Sequence, residues 1–101
     1  MGEKINRPME RRREQRYKIN AEAEVRYDNN TINAKALEIS KHGIKIESAD
    51  FIEPGTKVEA VLFLKEPERI SGEVKWVVAE QGQEKVSYKI GIGFIANSIS
   101  S

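Results

Sequence analysis

The sequence predicts an all-β domain, a six-stranded antiparallel β-barrel preceded by a flexible, basic N-terminal arm. Apolar residues recur at alternate positions in six short segments, and clusters of turn-forming residues separate these segments. No segment of about eleven residues shows helical periodicity. A closed barrel is favoured over an open sheet because closure removes exposed strand edges from a chain of only 101 residues.

The first two strands are predicted from two alternating segments joined by a short turn. Residues 17–27 carry apolar side chains at every second position, which is typical of a strand with one buried face. Asp28, Asn29 and Asn30 follow, and Asn and Asp tolerate the left-handed backbone angles of a tight turn. The second strand is predicted over residues 31–39.

Residues 40–43 interrupt the pattern, and Gly43 suits a tight turn. Alternation resumes as a short third strand around residues 44–46, before the Glu53–Pro54–Gly55 turn. The fourth strand includes the apolar run of residues 61–64, which predicts burial on both faces near its end. Pro67 prevents this run from continuing as a long helix.

The last two strands are predicted over residues 70–79 and 86–95, with residues 80–84 as a polar loop. Alternation along all six strands also predicts the core, because stripes of period two must face a common interior. We expect ten side chains to lie mostly inside: Val25, Leu37, Ile39, Ile46, Val61, Phe63, Val74, Trp76, Ile92 and Phe94.

The domain organisation follows a change in charge along the chain. Residues 1–18 hold seven Lys or Arg and three Glu, whereas the remainder holds ten basic and thirteen acidic residues. We expect a flexible arm over residues 1–10, the barrel domain over 11–96 and a short polar tail over 97–101. The basic arm indicates an anionic partner, although charge alone does not identify a ligand.

Composition excludes several classes of site. The chain has no cysteine, so it can form neither a disulfide nor a thiol nucleophile, and a single histidine excludes an all-histidine metal site within one chain. No segment has the apolar run of a signal peptide or of a membrane span of about 20 residues. We therefore expect a cytoplasmic protein that is not inserted in a membrane.

Two segments carry candidate ligand-binding residues. Arg11, Arg12, Arg13 and Arg16 cluster just before the first strand, and arginine binds phosphate and guanine through paired hydrogen bonds and stacking. The alternative for this cluster is a solvated charged tail. The second segment spans residues 38–43. There Glu38 can accept hydrogen bonds from a guanine edge and Ser40 can bind phosphate, whereas an ordinary hairpin with Ser40 capping the turn is the alternative.

Together these segments resemble the PilZ family, whose signature is Arg-x-x-x-Arg followed by [Asp or Asn]-x-Ser-x-x-Gly. Arg12 and Arg16 fit the first element, and Ser40 and Gly43 fit the second. Glu38 departs from the family pattern by one methylene. The closing residues 91–94 look like the family's final Gly-x-x-Phe strand, so the resemblance covers about residues 10–96.

The resemblance implies a bacterial receptor for cyclic di-GMP that acts as an adaptor on a protein partner and is not an enzyme. Arg12 and Arg16 would hold phosphates and guanine, assisted by Arg11 and Arg13. Ser40 would contact a phosphate, Glu38 a guanine edge, and Gly43 would shape the turn. The family implies no cofactor beyond this ligand, and it leaves open whether the protein is a monomer or a ligand-induced dimer.

Two alternatives stay open at this point. Glu38 could have abolished nucleotide binding, which would leave a degenerate PilZ domain that acts only as a protein-interaction module. A nucleic-acid-binding barrel is disfavoured, because the barrel segment is acidic and lacks a row of exposed aromatic residues. His42 beside Ser40 does not predict a catalytic dyad, since no acid is evidently placed to orient it. Trp76 is assigned to the core and not to the site.

Overall fold

The computed structural model describes residues 15–95, which form six antiparallel strands and confirm the predicted all-β fold. The strands are β1 (Arg16–Tyr27), β2 (Asn30–Ser40), β3 (Gly43–Ser48), β4 (Lys57–Phe63), β5 (Glu68–Gln81) and β6 (Val86–Phe94). The predicted arm over residues 1–10 and tail over residues 97–101 lie outside the described residues. β5 is longer than predicted at both ends, so residues 80 and 81 belong to a strand and not to a loop.

The strands pair in the order β1-β2-β3-β6-β5-β4, and β4 pairs with β1 to close the barrel. The β1–β2 turn is formed by Asp28 and Asn29, whose φ angles of 47° and 64° lie in the left-handed region. Two consecutive positive φ angles define the type I′ turn, whose twist matches that of the flanking strands. The turn predicted at this position is therefore confirmed.

The core fills the barrel interior with small and medium aliphatic side chains. The inward residues alternate along each strand, as in β1 (Ala23, Val25) and β6 (Ile90, Ile92), all of which are buried. Ile52, from the loop between β3 and β4, is buried in the same cluster. Each valine, leucine or isoleucine side chain of this core stabilises the fold by about 1.5–3 kcal/mol on full burial.

The core prediction is wrong for Trp76, which is 42% exposed on the outer surface. Val74 lies inside, but the β5–β6 register shifts between Val74 and Trp76. Such a β-bulge inserts one residue, here Lys75, and moves every later side chain to the opposite face. Val77 consequently packs against the core, and Val78 is exposed.

The prediction of burial is also wrong for two other residues. Phe63 is 46% exposed because the inward face of β4 carries Val58, Ala60 and Leu62, and an apolar run cannot show which alternate set faces inward. Leu37 is only half-buried and lies at a bulge in β2, where Ala36 occupies the inward position.

Of the other predicted core residues, Val61 is buried, but on the outer face and outside the core cluster. Ile39 and Phe94 are partly buried and pack against the core cluster, whereas Val25, Ile46, Val74 and Ile92 lie within it.

Residues 15–95 contain no helix that is long and apolar enough to cross a membrane. Within the same residues, no group of three His, Asp or Glu side chains is placed to hold a metal ion.

Candidate functional site

The barrel's register aligns outward residues of five neighbouring strands in one row. Lys18 of β1 lies opposite Glu38 of β2, and Glu38 lies opposite Lys45 of β3. Lys45 in turn faces Gly91 of β6, and Gly91 faces Trp76 of β5. Because paired residues share a face of the sheet, this row gathers charged, aromatic and glycine positions on one outer surface.

An open cleft of about 220 Å³ lies along this row. Four residues predicted from the sequence line it, namely Arg16, Glu38, Ser40 and Gly43. Arg11, Arg12 and Arg13 lie outside the described residues. The cleft is also lined by residues that the sequence prediction did not assign to the site, chiefly Lys45, Lys75, Trp76, Gly91 and Gly93.

Glycines keep the floor of the cleft low. Gly91 and Gly93 occupy two outward positions near the end of β6, where any other residue would project a side chain into the cleft. Gly43 faces Gly93 across the β3–β6 pair, and a Cβ on Gly43 would overlap the backbone carbonyl of Ile92. Gly43 is not among the residues with positive φ. A glycine is therefore needed there for close backbone approach and not for the left-handed turn considered from the sequence.

The β5 bulge forms the wall of the cleft next to β6. It turns two consecutive side chains, Lys75 and Trp76, towards the β6 glycines: Lys75 lies over Gly93 and the indole lies over Gly91. A Cβ on Gly91 would overlap the Trp76 ring. The sequence contained one signal of this arrangement, because glycines at alternate positions of a strand mark close approach by another group.

The charges in the cleft are connected through Glu38. Its Oε1 lies 4.0 Å from Nη1 of Arg16, and its Oε2 lies 3.8 Å from Nζ of Lys45. Lys75 lies within 3.9 Å of Glu73. Arg16, Lys45 and Lys75 bring three positive charges. The carboxylates beside them, Glu38 and Glu73, bring two negative charges, so the cleft favours an anion. The long distances and the 63% exposure of the Arg16 side chain indicate ion pairs that a ligand can replace.

The turn between β2 and β3 is held by Ser40. The backbone N–H of His42 donates a hydrogen bond to the Ser40 hydroxyl over 3.2 Å, as in the capped hairpin considered from the sequence. Arg16 and Ser40 are opposite residues of the β1–β2 pair, so the arginine and this hydroxyl lie on neighbouring strands at the same end of the cleft. Capping the turn therefore also fixes the hydroxyl at the end of the cleft where Arg16 begins β1.

Comparisons with known proteins agree on one fold. The PilZ domain of YcgR from Escherichia coli, solved with c-di-GMP, superposes with a TM-score of 0.72 at 11% identity, covering 89% of this chain and 82% of that chain. The MrkH–c-di-GMP complex of K. pneumonia gives 0.67 at 20% identity, covering 82% of this chain and 43% of that chain. The chain thus spans less than half the length of MrkH.

The Bacillus subtilis inhibitor of motility, MotI/DgrA, gives a TM-score of 0.62 at 19% identity, covering 91% of this chain and 49% of that chain. No curated protein sequence matches this chain. The PilZ domain model matches residues 10–101, nearly the whole sequence. The chain belongs to the PilZ domain family.

Proposed function

We propose that this chain is a cyclic di-GMP receptor that binds the dinucleotide in the cleft over β6. The observation that carries the proposal is the convergence of Arg16, Ser40 and Gly43 on one outer surface, with glycines as its floor. Two relatives of the same fold, YcgR and MrkH, were solved with c-di-GMP. The positive balance of the cleft suits a dianionic ligand.

The phosphates would be held at the Arg16 end of the cleft. The guanidinium offers paired donors for phosphate oxygens, and the Ser40 hydroxyl adds a neutral donor beside it. Sites that enclose a small ligand usually measure about 300–1,000 Å³, more than the 220 Å³ of this cleft. The described residues would thus form one wall, and Arg12, four residues before Arg16, would close the site, assisted by Arg11 and Arg13.

A guanine base would be held nearer to β5. The exposed indole of Trp76 offers an aromatic surface, and stacking of a base on such a surface is worth about 1–3 kcal/mol. Glu38, between Arg16 and Lys45, can accept hydrogen bonds from a guanine edge. Lys45 and Lys75 flank the same space as additional cations.

Calorimetric titration with cyclic di-GMP tests this proposal. Arg16→Ala or Arg12→Ala removes charge-assisted hydrogen bonds worth about 1.5–3 kcal/mol each, so the affinity should fall at least about tenfold. Arg69→Ala is the matched control, because Arg69 is also 63% exposed and lies near one glutamate, but outside the cleft. It belongs to the outer surface formed by β1, β4 and the first half of β5, called here the β1–β4 face. Equal affinity losses in the Arg16 and Arg69 variants would contradict the proposed site.

Ligand binding would act by changing contacts with another protein. A dinucleotide that draws Arg12 and Arg16 together would reorganise the surface at the start of β1, which can shift the affinity for a partner. The chain would then be an adaptor in the cytoplasm, where an intracellular messenger is found, and not an enzyme. Pull-down of one partner with and without cyclic di-GMP measures this effect, and equal recovery under both conditions would contradict it.

A further inference from the structure

β5 is twice as long as β4, fourteen residues against seven, and among residues 15–95 no strand pairs with one side of its second half. β4 pairs with β5 only up to Glu73. The last backbone bonds on that side join Val74 to Gly55 and Thr56, over 2.8 and 2.9 Å. Beyond the bulge, within residues 15–95, β5 pairs only with β6. The closed barrel therefore leaves a free strand edge over residues 75–81, called here the β5 edge.

The β5 edge lacks the usual protection of exposed strands. Its centre is four consecutive apolar residues, Trp76 to Ala79, and Val78 is 51% exposed. Natural edges are commonly blunted by a central lysine or proline, because unpaired backbone groups are a template for a further strand. Here charges stand only at the two ends, Lys75 and Glu80. The edge is open to strand addition.

We propose that the β5 edge pairs in antiparallel orientation with the same edge of a second copy. The charge pattern favours this arrangement: Lys75 precedes the apolar centre and Glu80 follows it, so an antiparallel pair places the lysine end of each edge beside the glutamate end of the other. A parallel pair would bring like charges together, which is destabilising. Two barrels would thus share one continuous sheet.

The outward faces of the two copies also match in detail. Because opposite residues of an antiparallel pair share a face, the two-fold axis passes through a residue. With Val77 on the axis, Trp76 lies opposite the partner's Val78, an aromatic–β-branched pair of the kind that stabilises sheets. The bulge turns Lys75 to the outer face beside Trp76. In this register Lys75 lies opposite the partner's Ala79, one residue before the partner's Glu80 on the same outer face.

Glu80 is held on the outer face by Lys89 of β6, the strand on the other side of β5 from the edge. It accepts a hydrogen bond from Nζ of Lys89 over 2.7 Å, and this bond raises the pKa of Lys89 above its usual value. One carboxylate can accept from two cations, so Lys75 of a second copy can share it. The contact is one strand wide and smaller than the roughly 1,000 Å² of a stable interface. We therefore expect a weak dimer that forms only at high protein concentration.

Sedimentation velocity on the full chain without cyclic di-GMP tests the dimer over a wide concentration range, independently of the proposed ligand. The wild type should approach twice its monomer mass, whereas Val78→Lys should stay monomeric. Phe63→Lys is the matched control, because Phe63 is similarly exposed but lies on a strand paired on both sides. A monomeric wild type at millimolar concentration, or loss of the dimer only in Phe63→Lys, overturns the proposal.

Cross-linking locates the contact, since the chain has no cysteine and each introduced thiol is unique. Opposite residues of an antiparallel pair lie about 4.5–5.5 Å apart at Cα, within the range of about 4.4–6.8 Å for a disulfide. Under mild oxidation Val77→Cys should form covalent dimers, and Phe63→Cys should form none. Cross-linking at Val78→Cys instead supports the edge contact and moves its axis by one residue. No cross-linking at any position from 76 to 80 overturns the proposal.

Discussion

Two regions of the barrel's outer surface differ although each presents an equally exposed arginine. Arg16 beside β2 and Arg69 on β5 are both 63% exposed, and each lies within 4.0 Å of one glutamate. On the β1–β4 face the outward positions of β4 carry Glu59, Val61 and Phe63, whereas on the cleft face the outward positions of β6 carry glycines. The difference shows that absent side chains, more than the presence of an arginine, distinguish the candidate site.

The balance of charge separates the same two faces. On the β1–β4 face, Arg26 pairs with Glu24 and Arg69 pairs with Glu59 at 3.2 and 3.4 Å. In the cleft, Glu38 lies between two cations at 3.8 and 4.0 Å. Paired charges at short distance leave little attraction for an anion, whereas a shared carboxylate leaves part of each cation available. In the part of the chain that the structure describes, the recess and the unbalanced charge coincide over β6.

The largest expected effect comes from filling the recess at Gly43. In Gly43→Ala the new methyl meets the Ile92 carbonyl, which belongs to a paired strand and cannot rotate away. We expect a loss of about 1–3 kcal/mol in the free energy of unfolding, together with loss of cyclic di-GMP binding. Urea unfolding measures the first and calorimetry the second. Lys41→Ala, an exposed position in the same turn, should change neither, and a fully stable Gly43→Ala would contradict the close approach.

The strands and turns could be predicted from the sequence because they depend on local patterns. Alternation located all six strands, and Asp28 and Asn29 marked their turn by residue type. The bulges could not be predicted, since one inserted residue changes the face of all that follow and no local signal marks Lys75 as extra. Trp76 was therefore assigned to the core.

The same distinction applies to the candidate site. Arg16 and Ser40 are opposite residues of one hairpin, and the sequence associated their two segments through the resemblance to the PilZ family. Lys45, Lys75 and Trp76 join them only through the pairing of β3 with β6 and of β6 with β5, which follows from barrel closure. A sequence motif cannot show that contact, although the alternate glycines of β6 indicated that some group approaches them.

The next expected effect distinguishes Trp76 from Phe63, an aromatic residue of similar exposure outside the cleft. Trp76→Ala should weaken cyclic di-GMP binding by about 1–3 kcal/mol, the range for a base stacked on an aromatic ring, or about five-fold to a hundred-fold in affinity. Phe63→Ala removes an aromatic ring of similar exposure from the β1–β4 face and should leave the affinity unchanged. Calorimetry measures the affinity of both variants for cyclic di-GMP, and equal affinities would exclude stacking of a base on Trp76.

A second substitution checks that the position of the indole matters. Gly91→Ala keeps the ring but displaces it from the floor, because the added methyl overlaps the indole. Its affinity should fall as in Trp76→Ala, and the loss in the double variant should be smaller than the sum of the two single losses. Additive losses in the double variant would show that the two residues act independently.

The smallest expected effect concerns Glu38, where this chain departs from the family's Asp or Asn. Glu38→Asp keeps the charge and withdraws the carboxylate by one methylene from Arg16 and Lys45, whose distances are already near the limit for an ion pair. Both cations then become more available to phosphate, so cyclic di-GMP should bind about two- to five-fold more tightly, the size of a surface ion pair.

Glu38→Gln separates the effect of charge from that of hydrogen bonding. This variant should bind cyclic di-GMP more weakly than Glu38→Asp if the carboxylate accepts from guanine, and at least as tightly if the carboxylate only neutralises the cations. Glu59→Asp, the same change on the β1–β4 face, should have no effect. If the wild type gives no binding signal at high micromolar ligand and Glu38→Asp restores none, the receptor proposal fails, and the domain acts as a protein-interaction module.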